Sequence, residues 1–199
     1  MGKRISHYEI KRFPAWQIFL IGFFLGTLLP NVMWKMEWRQ QTMASVYLLG
    51  TFAGQNMEAG EYFREVLRRR GSYFLLSAFC GISVFGVPLA VLGIFMLGAE
   101  IGMLLTISIL QFGLSGGAVG VGLLFPQYLV YLPVLFYLLS AVYRQSMEIW
   151  KNRGLFPRKA YQYGIRILLA GIFYFGGVLL EVYINPWVTE TIIKSLNIF

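Results

Sequence analysis

Residues 72–97 read SYFLLSAFCGISVFGVPLAVLGIFML, and after Gly98-Ala99-Glu100 the chain continues over residues 101–125 as IGMLLTISILQFGLSGGAVGVGLLF. Neither run holds a charged side chain, and each is long enough to cross a ~30 Å hydrocarbon core as a helix. Working outward, Phe13–Trp34 forms a third apolar run, 127–143 a fourth and 165–184, which carries Arg166 and Glu181, a fifth. The pattern predicts an all-α, polytopic membrane helix bundle with about five spans, all in one integral membrane domain. Pro88 should kink the second span, and Gly98-Ala99-Glu100 should break the chain before the third. Pro126 and Pro133 bracket Gln127 to Leu132, which predicts a broken or re-entrant element near 124–142, covered by protein or lining a cavity. Pro186 should end the last span, with Trp187 as an interfacial anchor.

Composition agrees. Apolar residues make up 57% of the 199 and charged residues only 13%, with a mean hydropathy of +0.63; soluble domains carry roughly 25% charge. There is no Asp, one histidine (His7) and one cysteine (Cys80). That scarcity removes most metal sites and all internal disulfides, and no cofactor is implied. The net charge of +8 is placed at the ends of spans. Lys3, Arg4, Lys11 and Arg12 precede the first run, and Arg144, Lys151, Arg153, Arg158, Lys159 and Arg166 lie around the junction of the last two. This positive-inside distribution reads as membrane topology, with the amino terminus and the 143–164 loop cytoplasmic in a bacterial inner membrane. It forms no aromatic-interleaved basic face for nucleic acid.

The first run exceeds a signal-peptide core of ~7–15 residues and lacks a small-x-small cleavage site, so it reads as a retained anchor. Gly22 and Gly26, four apart, would let another helix approach closely. The interlude from Lys35 to Gly71 contains Met43–Phe52, which is apolar but short for a crossing. It also contains Met57–Arg70, an amphipathic stretch in which Glu65 can reach Arg68 and Arg69. The whole 41–70 segment is expected at the interface; a crossing by 43–59 is the alternative. Arg68, Arg69 and Arg70 read either as a topological anchor or as a docking surface for a partner or anionic lipid.

Gly113-Leu114-Ser115-Gly116 matches the G-x-S-G signature of intramembrane serine proteases. That chemistry needs a base beside the serine, and the only histidine is in the amino-terminal tail. The chain therefore reads as no enzyme, with Gly113 and Gly117 as packing glycines of the third span. Cys80 reads as a small buried hydrophobe. Two carboxylates remain near the membrane. Glu100 is expected in a solvated turn, and Glu181 either snorkels to the interface or bonds a neighbouring helix or partner.

These features occur in an order that resembles the stage II sporulation protein M family. Gly93-Ile94-Phe95-Met96-Leu97-Gly98-Ala99 is similar to its glycine-bounded break between spans. Residues 124–133, LFPQYLVYLP, resemble its L-l-P-H-G-i-x-E-L-P signature, departing at Gln127, Tyr128 and Tyr131. Residues 179–186, LLEVYINP, are similar to the I-E-a-f-i-T-P ending of its last span. The resemblance keeps Glu181, Pro126 and Pro133. It implies a septal-membrane scaffold that recruits peptidoglycan-remodelling partners, the stage II sporulation proteins P and D, for engulfment. Self-association into a homo-oligomer stays open. The competing expectation, from the broken element and glycine-rich spans, is a subunit of a permease, channel or transporter.

Overall fold

The computed structural model describes residues 13–34, 59–151 and 160–195. Within them every regular element is helical: α1 (Ala15–Trp34), α2 (Ala59–Cys80), α3 (Gly86–Leu124), α4 (Gln127–Lys151), α5 (Ala160–Leu179), a π turn (Leu180–Ile184) and α6 (Asn185–Ser195). Ala15–Val32, Gly86–Leu110 and Ala160–Ile192 are long and apolar enough to cross a membrane. A fourth crossing arises if Gly116–Leu124 and Gln127–Lys151, bent by 57° at their junction, count as one span. This is the make-up of a multi-pass membrane protein.

Glycines set the closest helix contact. A Cβ on Gly22 or Gly26 would collide with the backbone of Phe95 or Ala99, and one on Gly98 or Gly102 with the backbone of Phe19 or Phe23. Both helices thus present small residues at four-residue spacing, and their backbones meet directly. Because Gly22 faces Phe95 and Gly26 faces Ala99, α1 and α3 run parallel. The core beside them is formed by Ala90, Ile94, Leu138, Leu139, Val142, Ala170, Tyr174 and Val178.

Several boundaries differ from those expected. The 72–97 run is not one span: α2 ends at Cys80 and α3 starts at Gly86. The Ser83 hydroxyl donates to the Cys80 carbonyl and accepts from the Phe85 N–H, which satisfies backbone groups freed at the break. Fully buried Ser146 ties that turn to α4, accepting from the Val87 N–H at 3.1 Å and donating to the Ser83 carbonyl. Pro88 causes no kink because it falls in the first turn of α3, where its missing N–H has no helical partner anyway. The helix also passes unbroken through Gly98-Ala99-Glu100, since Gly98 serves close packing on α1.

The expected third span, 101–125, reverses at Gly113, whose φ of 64° and ψ of −147° lie where L residues rarely go. Gly120 then packs against Ser108 and Leu105, residues that a continuous helix would hold about 18 and about 22 Å away. Residues 105–120 are therefore a tight helical hairpin with Leu114, 96% exposed, beside its tip. The break near 124–142 falls at the cis Phe125–Pro126 bond, whereas Pro133 lies inside an uninterrupted α4. Pro186 does not end the last span. It sits in the first turn of α6, directly after the π turn has shifted the hydrogen-bond register. Of the expected interfacial segment, 41–58 lie outside the described residues, and 59–70 belong to α2, continuous with 71–80.

Candidate functional site

Three consecutive arginines on a helix point about 100° apart, so they cannot share one environment. Arg69 faces outward, 78% exposed, in an i,i+4 pair with Glu65 at 3.1 Å. Arg70 turns into the bundle, its side chain 22% exposed. Its Nε and Nη2 each donate to Glu181, to Oε2 and Oε1 respectively, at 3.2 Å. This two-pronged contact is the strongest geometry available to an arginine and a carboxylate. Glu181 is only 14% exposed and sits within the π turn, which widens the helix where the carboxylate must point inward.

Two tyrosines of α4 complete the cluster. The Tyr131 hydroxyl donates to Glu181 Oε2 at 2.7 Å, and the Tyr128 hydroxyl donates to Glu100 Oε1 at 2.8 Å. Arg70 Nη1 lies 3.9 Å from the same Glu100 oxygen. The guanidinium carbon is 5.1 Å from the Tyr131 ring centre and 5.8 Å from that of Tyr128, within cation–π range. Tyr131 stacks obliquely on Tyr174 of α5, which in turn meets Phe74 of α2. Burial disfavours a lone guanidinium charge, and the Glu181 and Glu100 carboxylates beside it offset that cost. One arginine thereby joins α2, α3, α4 and the π turn.

Next to it, Asn185 closes the broken element. Its side-chain amide donates to the carbonyls of Gly122, Leu123 and Phe125, at 3.1, 3.2 and 2.8 Å. Gln127 adds a donor to Leu123 at 2.6 Å. Gly122 and Leu123 carry carbonyls that a helix ending at Leu124 leaves open, and Phe125 is the extended residue that follows it.

Glu181 thus bonds a neighbouring helix and does not snorkel. Glu100 lies mid-helix, half exposed, and not in a turn. Of the arginines, only Arg70 enters the site. Pro126 sits at the break, while Pro133 lines an apolar groove with Leu129, Tyr137, Leu169 and Phe173. Gly113 acts through its backbone, with open space around a would-be Cβ, and Gly117 meets only Ile109 at 3.9 Å, so neither packs as expected. The Ser115 side chain lies outside the described residues. Among the described residues, no three His, Cys, Asp or Glu side chains gather as a metal site would require.

Sequence reasoning missed Tyr128, Tyr131 and Asn185. Their signal was present: the LFPQYLVYLP and LLEVYINP stretches hold them, and the fold brings the two stretches into contact. The chain matches no protein-family model, no curated protein and no solved structure.

Proposed function

We propose that this chain is a non-catalytic membrane scaffold, of the kind implied by its resemblance to the stage II sporulation protein M family. The observation that carries the reading is the cluster around Arg70. Its arginine, carboxylates and phenols bond one another across four segments and fix their relative positions, as a rigid platform for other membrane proteins requires. By that resemblance the partners are peptidoglycan-remodelling proteins, the stage II sporulation proteins P and D, at the engulfing septal membrane. The test is cross-linking in host membranes followed by purification of the tagged full chain. Capture of such partners, reduced by Arg70→Ala at equal abundance, is the expected result; failure to capture them when both are expressed overturns the reading.

A second reading, a transport component, is favoured by the reversal at Gly113 and the break at Phe125–Pro126, since interrupted helices line transport sites. Reconstituted vesicles of the purified chain would then leak ions or small solutes, a result the scaffold does not predict.

A further inference from the structure

The charges around Arg70 do not balance. Arg69 pairs with Glu65 at 3.1 Å and Arg70 with Glu181 at 3.2 Å, while Glu100 has only a 3.9 Å contact with the same Arg70. Three carboxylates thus share two guanidiniums, and each guanidinium has a closer partner than Glu100. The Tyr128 hydroxyl donates to Glu100 at 2.8 Å but brings no positive charge. Glu100 is therefore the carboxylate left short, and 48% of its side chain is open.

Depth makes that imbalance costly. Glu100 lies near the middle of Gly86–Leu110, and because Gly26 faces Ala99 it also stands beside the middle of Ala15–Val32. An ionised group at such a depth is held by a partner of opposite sign or faces a cavity. Here a cavity is present. A cleft of about 270 Å³ opens between α2 and α3 onto Glu100, with Tyr73, Gly93, Met96, Leu97 and Tyr174 among its walls. Arg69 and Arg70 also reach it, each turned to its own carboxylate.

The walls select the kind of cation. A hard metal ion gathers about six oxygen ligands, whereas among the described residues this cleft sets one carboxylate between aromatic and aliphatic side chains. An ammonium on a small apolar body suits it. The ammonium donates to the carboxylate, the tyrosine rings attract its charge, and Met96 and Leu97 meet the hydrocarbon. The volume lies just under the ~300–1,000 Å³ of sites for drug-sized ligands, so the occupant is small. A polar flank leads to the cleft, since Glu61, Arg64, Glu65, Arg68 and Arg69 are all exposed on the half of α2 that precedes Arg70.

We propose that the α2–α3 cleft binds a small organic monoammonium ion, its nitrogen on the Glu100 carboxylate and its hydrocarbon against Met96 and Leu97. The site stands whether the chain is a scaffold or a transport component.

The test is calorimetric titration of the full chain in mild detergent, corrected with empty micelles, using three probes of similar shape: phenethylammonium, the uncharged 2-phenylethanol and the anion phenylacetate. Phenethylammonium should bind about tenfold more tightly than 2-phenylethanol, and phenylacetate more weakly than either. Glu100→Gln, which still accepts from Tyr128, should bring the ammonium and the alcohol to equal affinity. Equal affinity of those two for the parent chain would mean that a proton or a basic side chain of another protein neutralises Glu100, and it overturns the proposal. So does a preference for the ammonium that survives Glu100→Gln, or phenylacetate binding as tight as that of phenethylammonium. Should Glu100→Gln fail to accumulate, Met96→Trp, which narrows the cleft and removes no charge, must weaken phenethylammonium binding severalfold, and unchanged affinity overturns the proposal.

Discussion

Arg70 and Glu181 are separated by 111 positions in sequence and joined by two hydrogen bonds of 3.2 Å, with Tyr131 adding a third to the same carboxylate. Removing either partner leaves the other charge facing a largely apolar interior. Arg70→Ala and Glu181→Ala are each expected to destabilise the fold by about 3 kcal/mol, toward the low end for buried pairs because Glu181 keeps some exposure. The joint Arg70→Met, Glu181→Met variant should lose less than the sum of the singles, since it strands no charge. Unfolding titrations in mixed micelles check this; unchanged stability in both single variants would make the pair incidental.

The α1–α3 contact predicts a sharp ranking of glycine substitutions. Gly22→Leu and Gly98→Leu should reduce accumulation of folded protein severely, because the new side chain meets backbone that cannot yield. Gly117→Leu should be tolerated, its nearest obstacle being an Ile109 side-chain carbon at 3.9 Å. Quantifying monodisperse protein by fluorescence-detected chromatography gives the ranking, and a reversed order would displace the glycine seam from the core of the fold.

How far the sequence could be read follows from which interactions are local. Helical spans were legible because apolar run length is a local property, and Gly22 and Gly26 were legible because their spacing is. The division of 72–97 was not, since it depends on Ser146 of α4 reaching the turn from 63 positions away. Nor was the hairpin: Gly113 lies among several glycines, and only packing decides which one reverses the chain. Glu181 was recognised as an acid out of place, but its partner stood in an arginine triplet whose members look alike until helix phase separates them. Tyr128 and Tyr131 were read as departures from a motif, whereas each supplies a hydroxyl donor to one of the two carboxylates.

Asn185 provides a separate test of the broken element. Its amide serves the carbonyls of Gly122, Leu123 and Phe125 where Gly116–Leu124 ends, and of these Leu123 also accepts from Gln127. Asn185→Leu should cost roughly 1–3 kcal/mol, the range for stranding buried polar groups. Asn185→Asp should be at least as damaging, because a carboxylate offers acceptors to acceptors. Hydrogen exchange of α6 and of residues 114–124 should rise together in both variants; exchange confined to α6 would show that Asn185 does not support the break.

The reversal at Gly113 yields the most direct geometric prediction. In a continuous helix Ser108 and Gly120 would be about 18 Å apart, far beyond disulfide reach. In the hairpin, a Cβ on Gly120 falls 3.0 Å from the Ser108 Cβ, so small shifts bring two cysteines to bonding distance. Ser108→Cys with Gly120→Cys, in a Cys80→Ala background, should cross-link under mild oxidation in membranes, seen as loss of maleimide labelling that reductant restores. Gly113→Ala should diminish that cross-link although the space around residue 113 is open, because the penalty lies in the backbone angle and not in contact. A cysteine pair that stays fully labelled after oxidation would mean that α3 runs straight through Gly113. The broken element would then have to reach α4 by another route, and the transport reading would lose the reversal on which it partly rests.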